Sequence, residues 1–548
     1  QAVARLTRDA VRAAADPERF GEQIREGRSA WQARKLYQGG TGGFPLDLPG
    51  TPVRLATGVY DPLLGMTWQE LGSLARALHR CQGMRQLKVD PGAAEGTWFL
   101  VDSVPGVEGV EDDILDGQDT TLLGLARFAP ANGPLESRLS AVQGRAEAAR
   151  AAFDPLALGA AAQPLAEALE ALRAINDWLP AEIEDPSTLA EIQDRLRDEE
   201  RDMERALVLA QGLVVEARAE DGLVTPGQDF GLTVSVWNHG EAPVGLDALG
   251  VDVPAGWTVE AEGATPGAIE AGGEVRVAFT VTVAPDARLS QPYWRRRPDL
   301  DRFDLDVPAH ETRPWSPPAV VARLETRILD AETPLTAPAL FRYPGPFVGG
   351  EKQHVVQVVP ELSVRVSPEL SAVPLERSTG PLDVRAFVQH NARGAGGATV
   401  RLQVPSGWSV EPDEASLRFA YEGEEAAARF RVTPPDTLTP GEVALRAVAA
   451  RGKREYRDNV QVVAYDHTQR RQRLLPAEVQ VLVLDVRTFP DARVGYVMGS
   501  GDGVAEGIRQ LGVPLTLLTA EDLAFGDLSQ FTTIVTGIRA YETRGDLR

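Results

Sequence analysis

Cysteine is nearly absent from this sequence, since Cys81 is the only one in 548 residues. A lone cysteine excludes an internal disulfide bond and any zinc site built from several thiolates. Histidine is scarce as well, and the six histidines show no HxxH or HExxH spacing that would predict a metal site. No run of 18 apolar residues occurs, so the sequence predicts no membrane span.

Basic residues are outnumbered by acidic ones. The sequence has 56 Lys and Arg against 79 Asp and Glu, which gives a formal net charge of −23, and the one block of Arg that stands out is Arg295–Arg297. A chain this acidic is repelled by phosphate backbones, which argues against nucleic acid as a partner. The hydrophobic content of 43% and the charged content of 25% are those of a globular protein, and the length predicts roughly three to five domains.

A repeated stretch lies in the middle of the chain. VPAGWTVE at residues 253–260 returns as VPSGWSVE at residues 404–411, and the alternating runs on either side return with it. Apolar–polar alternation between Gly, Pro and Asp turns is typical of β-sandwiches, so the repeat predicts two sandwich modules. Because Trp257 and Trp408 follow the same Pro-x-Gly turn, we expect both to pack within the modules, with exposed sugar-stacking platforms as the alternative.

The patterns on either side of the repeat differ from it. Helical spacing and short strand-like runs come first, long amphipathic helices follow, and a strand–turn–helix–strand pattern ends the chain. The predicted fold class is therefore multidomain α/β plus β. The predicted segments are a partial Rossmann-like domain (1–110), a helical connector (111–212), an immunoglobulin-like β-sandwich (213–290), a connecting segment (291–359), a second such sandwich (360–470) and the start of a flavodoxin-like α/β domain (477–548).

Local motifs predict helix starts and one turn. Thr67 with Glu70, and Thr188 with Glu191, have the spacing of capping boxes. Gly499–Gly503 precedes a predicted helix, where backbone amides can hold an anion. The stretch departs from G-x-G-x-x-G, and its own Asp502 would repel a pyrophosphate. We therefore expect a structural turn there, with a ligand loop as the alternative.

Several stretches resemble a known family. Three stretches are similar to the C-terminal third of PIG-L/LmbE-type deacetylases: residues 1–20 (QAVARLTRDAVRAAADPERF), 31–37 (WQARKLY) and 60–84, which runs from YDPLLG through HRCQGM. The sandwich modules resemble NPCBM-associated domains of the α-galactosidase type. Residues 493–503 and 531–542 resemble a glutamine-amidotransferase-like domain, without a counterpart of its nucleophilic cysteine. Large bacterial members of the family carry these parts in the same order.

The resemblance implies a zinc enzyme whose metal site is elsewhere. The family's His-Pro-Asp-Asp motif and its later histidine-containing motif match no stretch of this sequence, so the zinc ligands and the catalytic Asp are expected outside this chain. The family often shows His-x-Ser-Gln near its cleft, where this chain has His79-Arg80-Cys81-Gln82. The resemblance therefore implies that His79 and Gln82 contact substrate. The sequence offers no general base that can be assigned to activate Cys81, so Cys81 is not expected to act as a nucleophile.

The predicted function is that of a fragment of a zinc-dependent N-deacetylase. Its substrates would be N-acetylglucosamine-type or related N-acyl sugars and glycoconjugates, and the fragment alone is expected to be inactive. The competing hypothesis is a non-enzymatic carbohydrate-binding or scaffold protein built on the sandwiches. The resemblance favours export to the periplasm or the cell exterior in either case.

Overall fold

The computed structural model describes residues 2–40, 52–79, 89–104, 111–129, 133–297, 299–345, 349–375, 380–465 and 468–547. The chain divides into two compact units, residues 1–147 with 171–199 and residues 148–170 with 200–548. Strands predominate after residue 211. Across the described residues, no helix combines the length and the apolar character that crossing a bilayer requires.

The N-terminal part contains three helices and a small sheet. The helices are α1 (Ala2–Ala14), α2 (Gly21–Arg25) and α3 (Trp68–Ala77), and the strands are β1 (Lys35–Gly40), β2 (Pro52–Ala56), β3 (Tyr60–Asp61), β4 (Met66–Thr67) and β5 (Glu95–Ser103). β5 lies between β1 and β2 and is antiparallel to both. These pairings do not themselves form the parallel sheet of a Rossmann-like domain. The predicted capping box is confirmed, because Thr67 Oγ1 accepts from the Glu70 N–H at 3.2 Å and the Glu70 carboxylate accepts from the Thr67 N–H at 2.8 Å.

Helices α1 and α3 leave apolar side chains exposed. Val3 and Leu6 on α1 are 75% and 66% exposed, and Leu74 and Leu78, on and just after α3, are 56% and 64% exposed. No residue of α3 is buried. An amphipathic helix of a globular protein normally turns its apolar stripe toward a core. The described residues therefore leave the Val3–Leu6 end of α1 and the apolar side chains of α3 largely uncovered.

Three long helices follow. They are α4 (Pro134–Ala152), α5 (Ala162–Glu182) and α6 (Pro186–Gln211). The capping box predicted at Thr188 and Glu191 is wrong: α6 begins at Pro186, and the carboxylate of Asp185 accepts from the Thr188 N–H at 2.8 Å. Proline suits the first helical position and aspartate the N-cap, so these two residues set the start. Glu191 instead forms an ion pair with Arg195, one turn on.

The first sandwich is built from a continuous nine-stranded sheet. Its strands are β6 (Leu213–Ala219), β8 (Asp229–Asn238), β9 (Val244–Asp252), β10 (Thr258–Ala261), β11 (Ala268–Ile269), β12 (Glu274–Thr282), β15 (Val321–Ile328), β16 (Ala331–Pro344) and β17 (Glu351–Val355). The order is β10-β12-β8-β6-β16-β15-β9-β11, with β17 on β16. The first half of β16 pairs with β15, and its second half pairs with β6 and β17. A strand that passes between layers in this way joins the two faces of the sandwich.

The observed strands of this sandwich extend past residue 290. β15 comes from the predicted connecting segment and pairs with β9 along its whole length. Its alternate residues are buried, as expected of a strand with one face on a core. The same segment also holds the hairpin of β13 (Trp294–Arg296) and β14 (Phe303–Leu305). A further short pair is formed by β7 (Leu223–Val224) and β18 (Gln357–Val358).

The second sandwich has two sheets. Its strands are β19 (Leu362–Ser367), β20 (Leu370–Pro374), β21 (Leu382–His390), β22 (Gly396–Gln403), β23 (Ser409–Glu411), β24 (Ala415–Phe419), β25 (Glu425–Thr433), β26 (Gly441–Arg451), β27 (Arg454–Tyr456) and β30 (Glu478–Leu484). The sheets have the orders β19-β21-β25-β23 and β20-β30-β26-β22-β24, with β27 on β26. The sequence pattern predicts β30 as part of the terminal α/β domain, but β30 pairs with β20 and β26. Its alternating burial suits a sandwich strand, and the ribbon of β28 (Asp458–Tyr465) and β29 (Thr468–Pro476) precedes it.

The predicted repeat is confirmed at the level of the backbone. Gly256 and Gly407 have φ of 85° and 86°, a conformation that favours glycine. In both turns the Trp N–H donates to the Pro carbonyl three residues earlier at 3.2 Å. β10 then pairs with β12 as β23 pairs with β25. The chain therefore contains two β-sandwiches with one shared local plan.

A small parallel α/β segment ends the chain. It consists of β31 (Val494–Val497), α7 (Val504–Gln510), β32 (Leu515–Leu517), α8 (Ala520–Phe525), β33 (Thr533–Thr536) and α9 (Ala540–Thr543). β31 lies between β32 and β33 and is parallel to both. The predicted strand–turn–helix–strand unit is present in these residues.

Candidate functional site

The first of the two site residues implied by the family resemblance, His79, follows α3. Its side chain is exposed, and its Nδ1 lies 3.2 Å from the carbonyl oxygen of Arg76. That contact belongs to the end of the helix. Gln82 lies outside the described residues, as does Cys81. The geometry therefore fixes a helix-end position for His79 and leaves its expected contact with substrate as a prediction.

The zinc ion implied by the resemblance has no fitting ligand set in the described ranges. They contain no group of three or more His, Cys, Asp and Glu side chains that could hold a metal ion. A zinc site needs at least three such protein ligands converging on one point. No catalytic step through zinc is therefore assigned to these residues.

Sequence reasoning missed a buried polar network on β1. Lys35 Nζ forms an ion pair with Glu111 Oε1 at 2.6 Å, and the two side chains are only 3% and 11% exposed. Tyr37 OH donates to the other carboxylate oxygen. Lys35 Nζ also donates to the carbonyl oxygens of Ile114, at 3.3 Å, and Asp116. Lys35 and Tyr37 share a face because they are two residues apart on a strand.

The charges in this network stabilise one another. Burial alone would raise the pKa of the Glu111 carboxyl, but hydrogen bonds from Lys35 and Tyr37 outweigh it and hold the pKa below its usual value. Burial and the neighbouring carboxylate raise the pKa of Tyr37, which keeps its hydroxyl a donor. The network thus fastens residues 111–116 to β1. The period-2 placement of Lys35 and Tyr37 in WQARKLY was the available sequence signal.

The Gly499–Gly503 turn is filled by its own carboxylate. Asp502 Oδ1 accepts from Tyr496 OH at 2.6 Å and from the Val504 N–H at 3.0 Å, and Oδ2 accepts from the Ile538 N–H at 3.1 Å. The hydrogen bond from Tyr496 leads the effects that lower the pKa of Asp502. The Val504 amide at the start of α7 is therefore already used by the chain's own carboxylate, whose negative charge would also repel an anion, and this agrees with a structural turn.

Trp257 and Trp408 pack as expected. Trp257 is 8% exposed and belongs to the core of the first sandwich. Trp408 is half-buried against the core of the second. Neither side chain is an open platform for a sugar ring. The expected packing role is confirmed.

A cleft in the second unit brings together residues that are distant in sequence. Its cavity volume is about 100 Å³, and its lining includes Trp294, Trp315, Gln357, Arg471 and Gln472. Trp315 is 49% exposed. The Arg471 guanidinium carbon lies 5.0 Å from the centre of the Trp315 ring, within cation–π range. The cleft thus combines an exposed indole with a cation.

The two arginines at this cleft lack acidic partners. Arg470 Nη1 donates to the amide oxygens of Gln357 and, at 3.0 Å, Gln472. Arg471 Nη2 has one long hydrogen bond, of 3.5 Å to the Gln469 amide oxygen, and its Nε is buried without a partner. Burial lowers the pKa of both guanidinium groups. No carboxylate among the described residues lies within ion-pair distance of either one.

Comparison with known proteins supports the sandwich assignment. Residues 224–292 and 384–451 match the family described as the NPCBM-associated, NEW3 domain of alpha-galactosidase. One similar solved structure is the apo-form Calx CBD1 domain, with 13% identity and a TM-score of 0.15, covering 23% of this chain and 98% of that one. Another is the secreted serine protease VesC from Vibrio cholerae, with 11% identity and a TM-score of 0.15, covering 41% of this chain and 47% of that one. The match thus spans about half the length of VesC. No curated protein matches this chain.

Proposed function

We propose that this chain is part of a sugar-directed zinc N-deacetylase of the PIG-L/LmbE type, with its zinc ligands outside this chain. The observation that carries the proposal is the apolar surface of α1 and α3. Leu6 and Leu74 are both more than half exposed. Because such stripes are normally covered, we expect these helices to pack against further elements of a larger α/β domain, which a deacetylase domain would provide. α1 falls in the stretch 1–20 and α3 in the stretch 60–84, both of which resemble the family.

The buried network gives the WQARKLY stretch a part in that domain. Lys35 and Tyr37 hold residues 111–116 by an ion pair and several hydrogen bonds. A lysine that is fully paired and almost inaccessible suits a positioning role better than proton transfer, which requires access to substrate. His79 and Gln82 remain the proposed substrate contacts. The proposed substrates are N-acetylglucosamine-type sugars or glycoconjugates.

The later parts of the chain would serve the enzyme without carrying its chemistry. The two sandwiches match a domain family whose description names an alpha-galactosidase, an enzyme that acts on sugars, and this supports a sugar-directed role. The parallel segment after residue 493 would be the start of a flavodoxin-like, amidotransferase-like domain with a scaffolding role. Export of the protein is part of the same proposal.

A second candidate is a non-enzymatic carbohydrate-binding or scaffold protein. The observation that favours it is the cleft with the half-exposed Trp315 beside Arg471. Trp257 and Trp408 do not serve as platforms, so sugar binding by the sandwich region would use this cleft. The two candidates differ in one respect, which is whether the protein releases acetate from an N-acetylated sugar.

The first test is the parent reading frame upstream of residue 1. The deacetylase proposal requires a His-Pro-Asp-Asp motif there and a histidine-bearing motif close before Gln1. An upstream region without both motifs would remove the deacetylase proposal and leave the binding protein.

A further inference from the structure

Arg471, like Arg470 beside it, has no carboxylate partner among the described residues, in contrast to several arginines of the nearby β13–β14 hairpin. Three arginines of that hairpin are paired with aspartates: Arg295 with Asp306 at 2.9 Å, Arg296 with Asp301 at 3.5 Å, and Arg297 with Asp299 at 3.2 Å. The chain as a whole carries 79 acidic residues against 56 basic ones. The guanidinium of Arg471 is therefore a local positive charge in an acidic chain.

Most of the N–H donors of the Arg471 guanidinium have no acceptor among the described residues. An arginine has five N–H donors, and Arg471 has one hydrogen bond in the described residues, with a length of 3.5 Å. Its Nε is shielded from solvent and has no acceptor. Burying part of a cation without a counter-charge or full hydrogen bonding is unfavourable. An anionic group placed in the cleft would offset that penalty, and a planar carboxylate matches the guanidinium fork.

The walls of the cleft are suited to a ring with an apolar face. Trp315 is half-exposed, and Trp294 and the prolines Pro292, Pro317 and Pro318 also line the space. One water molecule needs about 10–15 Å³ of such a cavity. The cleft of about 100 Å³ is several times this minimum, so it has room for part of a small ligand.

We propose that this cleft binds an acidic sugar residue of the hexuronate class. The carboxylate would pair with Arg471, and the apolar face of the ring would lie against the exposed part of Trp315. The inference rests on the proposed sugar-directed function, because that function makes a sugar the expected ring-shaped ligand. It does not depend on deacetylase activity, which is tested separately by acetate release.

The experiment is a calorimetric titration of the whole chain with matched ligands. Methyl β-D-glucuronide and methyl β-D-glucoside differ only in the carboxylate, acetate has the charge without the ring, and glucose 6-phosphate has a different anion on a similar ring. We expect the glucuronide to bind at least tenfold more tightly than the glucoside and acetate. Tighter binding of glucose 6-phosphate would overturn the carboxylate assignment. Equal binding of the glucoside would overturn the acidic class while retaining sugar binding.

Variants locate the site. We expect Arg471→Gln to weaken glucuronide binding about tenfold or more, since it removes a charge-assisted pair. Arg471→Lys should give an intermediate loss, because it keeps the charge and loses the fork. Trp315→Ala should weaken binding about tenfold. Arg297→Gln and Trp68→Ala are matched controls that should bind the glucuronide as tightly as the unmutated chain does. Arg297 is paired with Asp299, and Trp68 has the same 49% exposure as Trp315 but lies on α3. Unchanged glucuronide affinity in both Arg471→Gln and Trp315→Ala, or no glucuronide binding by the unmutated chain, would overturn the proposal.

Discussion

Replacing Lys35 by Met should weaken the N-terminal sheet far more than the loss of one surface charge would. Lys35 is 3% exposed and its partner Glu111 is 11% exposed, so the substitution leaves a buried carboxylate without its cation. Removing one member of a buried pair costs about 3–5 kcal/mol. Since about 1.4 kcal/mol is a factor of ten, amides protected by this sheet should exchange roughly a hundredfold faster or more.

Native-state hydrogen exchange at pH 7, read by mass spectrometry on β1 and β5, is the suitable assay. It reports local opening, which a single unfolding transition of a multidomain chain does not. Arg54→Met is the control on the same sheet, because the Arg54–Glu95 pair is 3.7 Å long with side chains 68% and 59% exposed. Such exposed pairs contribute about 0–1 kcal/mol. The double variant Lys35→Met/Glu111→Leu should recover most of the loss, since no unpaired charge remains.

The effect should also depend on pH in a defined direction. The pKa of Glu111 is held below its usual value of 4.5, so its contribution to stability is present above that value. It is lost as the pH falls through the lower pKa of the folded state. The difference in hydrogen-exchange rate between Lys35→Met and the unmutated protein should therefore shrink in acid. Exchange in Lys35→Met that matches Arg54→Met at pH 7 would refute the network.

Three further predictions concern single sites. Hydrogen bonds from the hydroxyls and amides of the first turn of α6 lower the pKa of Asp185 to about 2. Protection of that turn against hydrogen exchange should therefore persist above about pH 4 and fall toward pH 2, and Asp185→Ala should show no such transition. Identical pH profiles in the two proteins would contradict this. Trp257→Ala should destabilise the first sandwich by about 3–5 kcal/mol, read as faster hydrogen exchange of its strand amides, without changing sugar affinity. Unchanged exchange with weakened sugar binding would instead make Trp257 a sugar platform. Gly222→Ala would place a Cβ 2.5 Å from His354 Cε1 and should cost about 1–3 kcal/mol, while Gly250→Ala, with nothing within 4 Å, should stay within about 0.5 kcal/mol.

The repeat was predictable because its cause is local. A Pro-x-Gly-Trp turn needs one residue with positive φ, and Gly256 and Gly407 supply it in both copies. The capping box at Thr67 was predictable for the same reason. At the start of α6, two local signals competed, and the pair Asp185-Pro186 set the boundary one turn earlier than Thr188 would have.

Sheet membership and buried networks depend on distant partners. The sequence predicts a strand after residue 477, but the pairing of this strand, β30, with β20 and β26 is set by segments far from it in sequence. Tyr37 meets Glu111 across 74 positions. The cleft needs Trp315, Gln357 and Arg471 from three separate segments. Composition and spacing do not show which residues distant in sequence come into contact, whereas the folded backbone does.

Acetate release tests the central claim most directly. The full-length product of the parent gene would be incubated with N-acetylglucosamine and its glycosides after zinc loading, and again after treatment with a chelator. The proposal predicts acetate release that disappears on chelation and returns with zinc. Glucuronide binding at the Trp315–Arg471 cleft, with no acetate release from any N-acetyl sugar by the zinc-loaded protein, would contradict the deacetylase and leave a carbohydrate-binding protein.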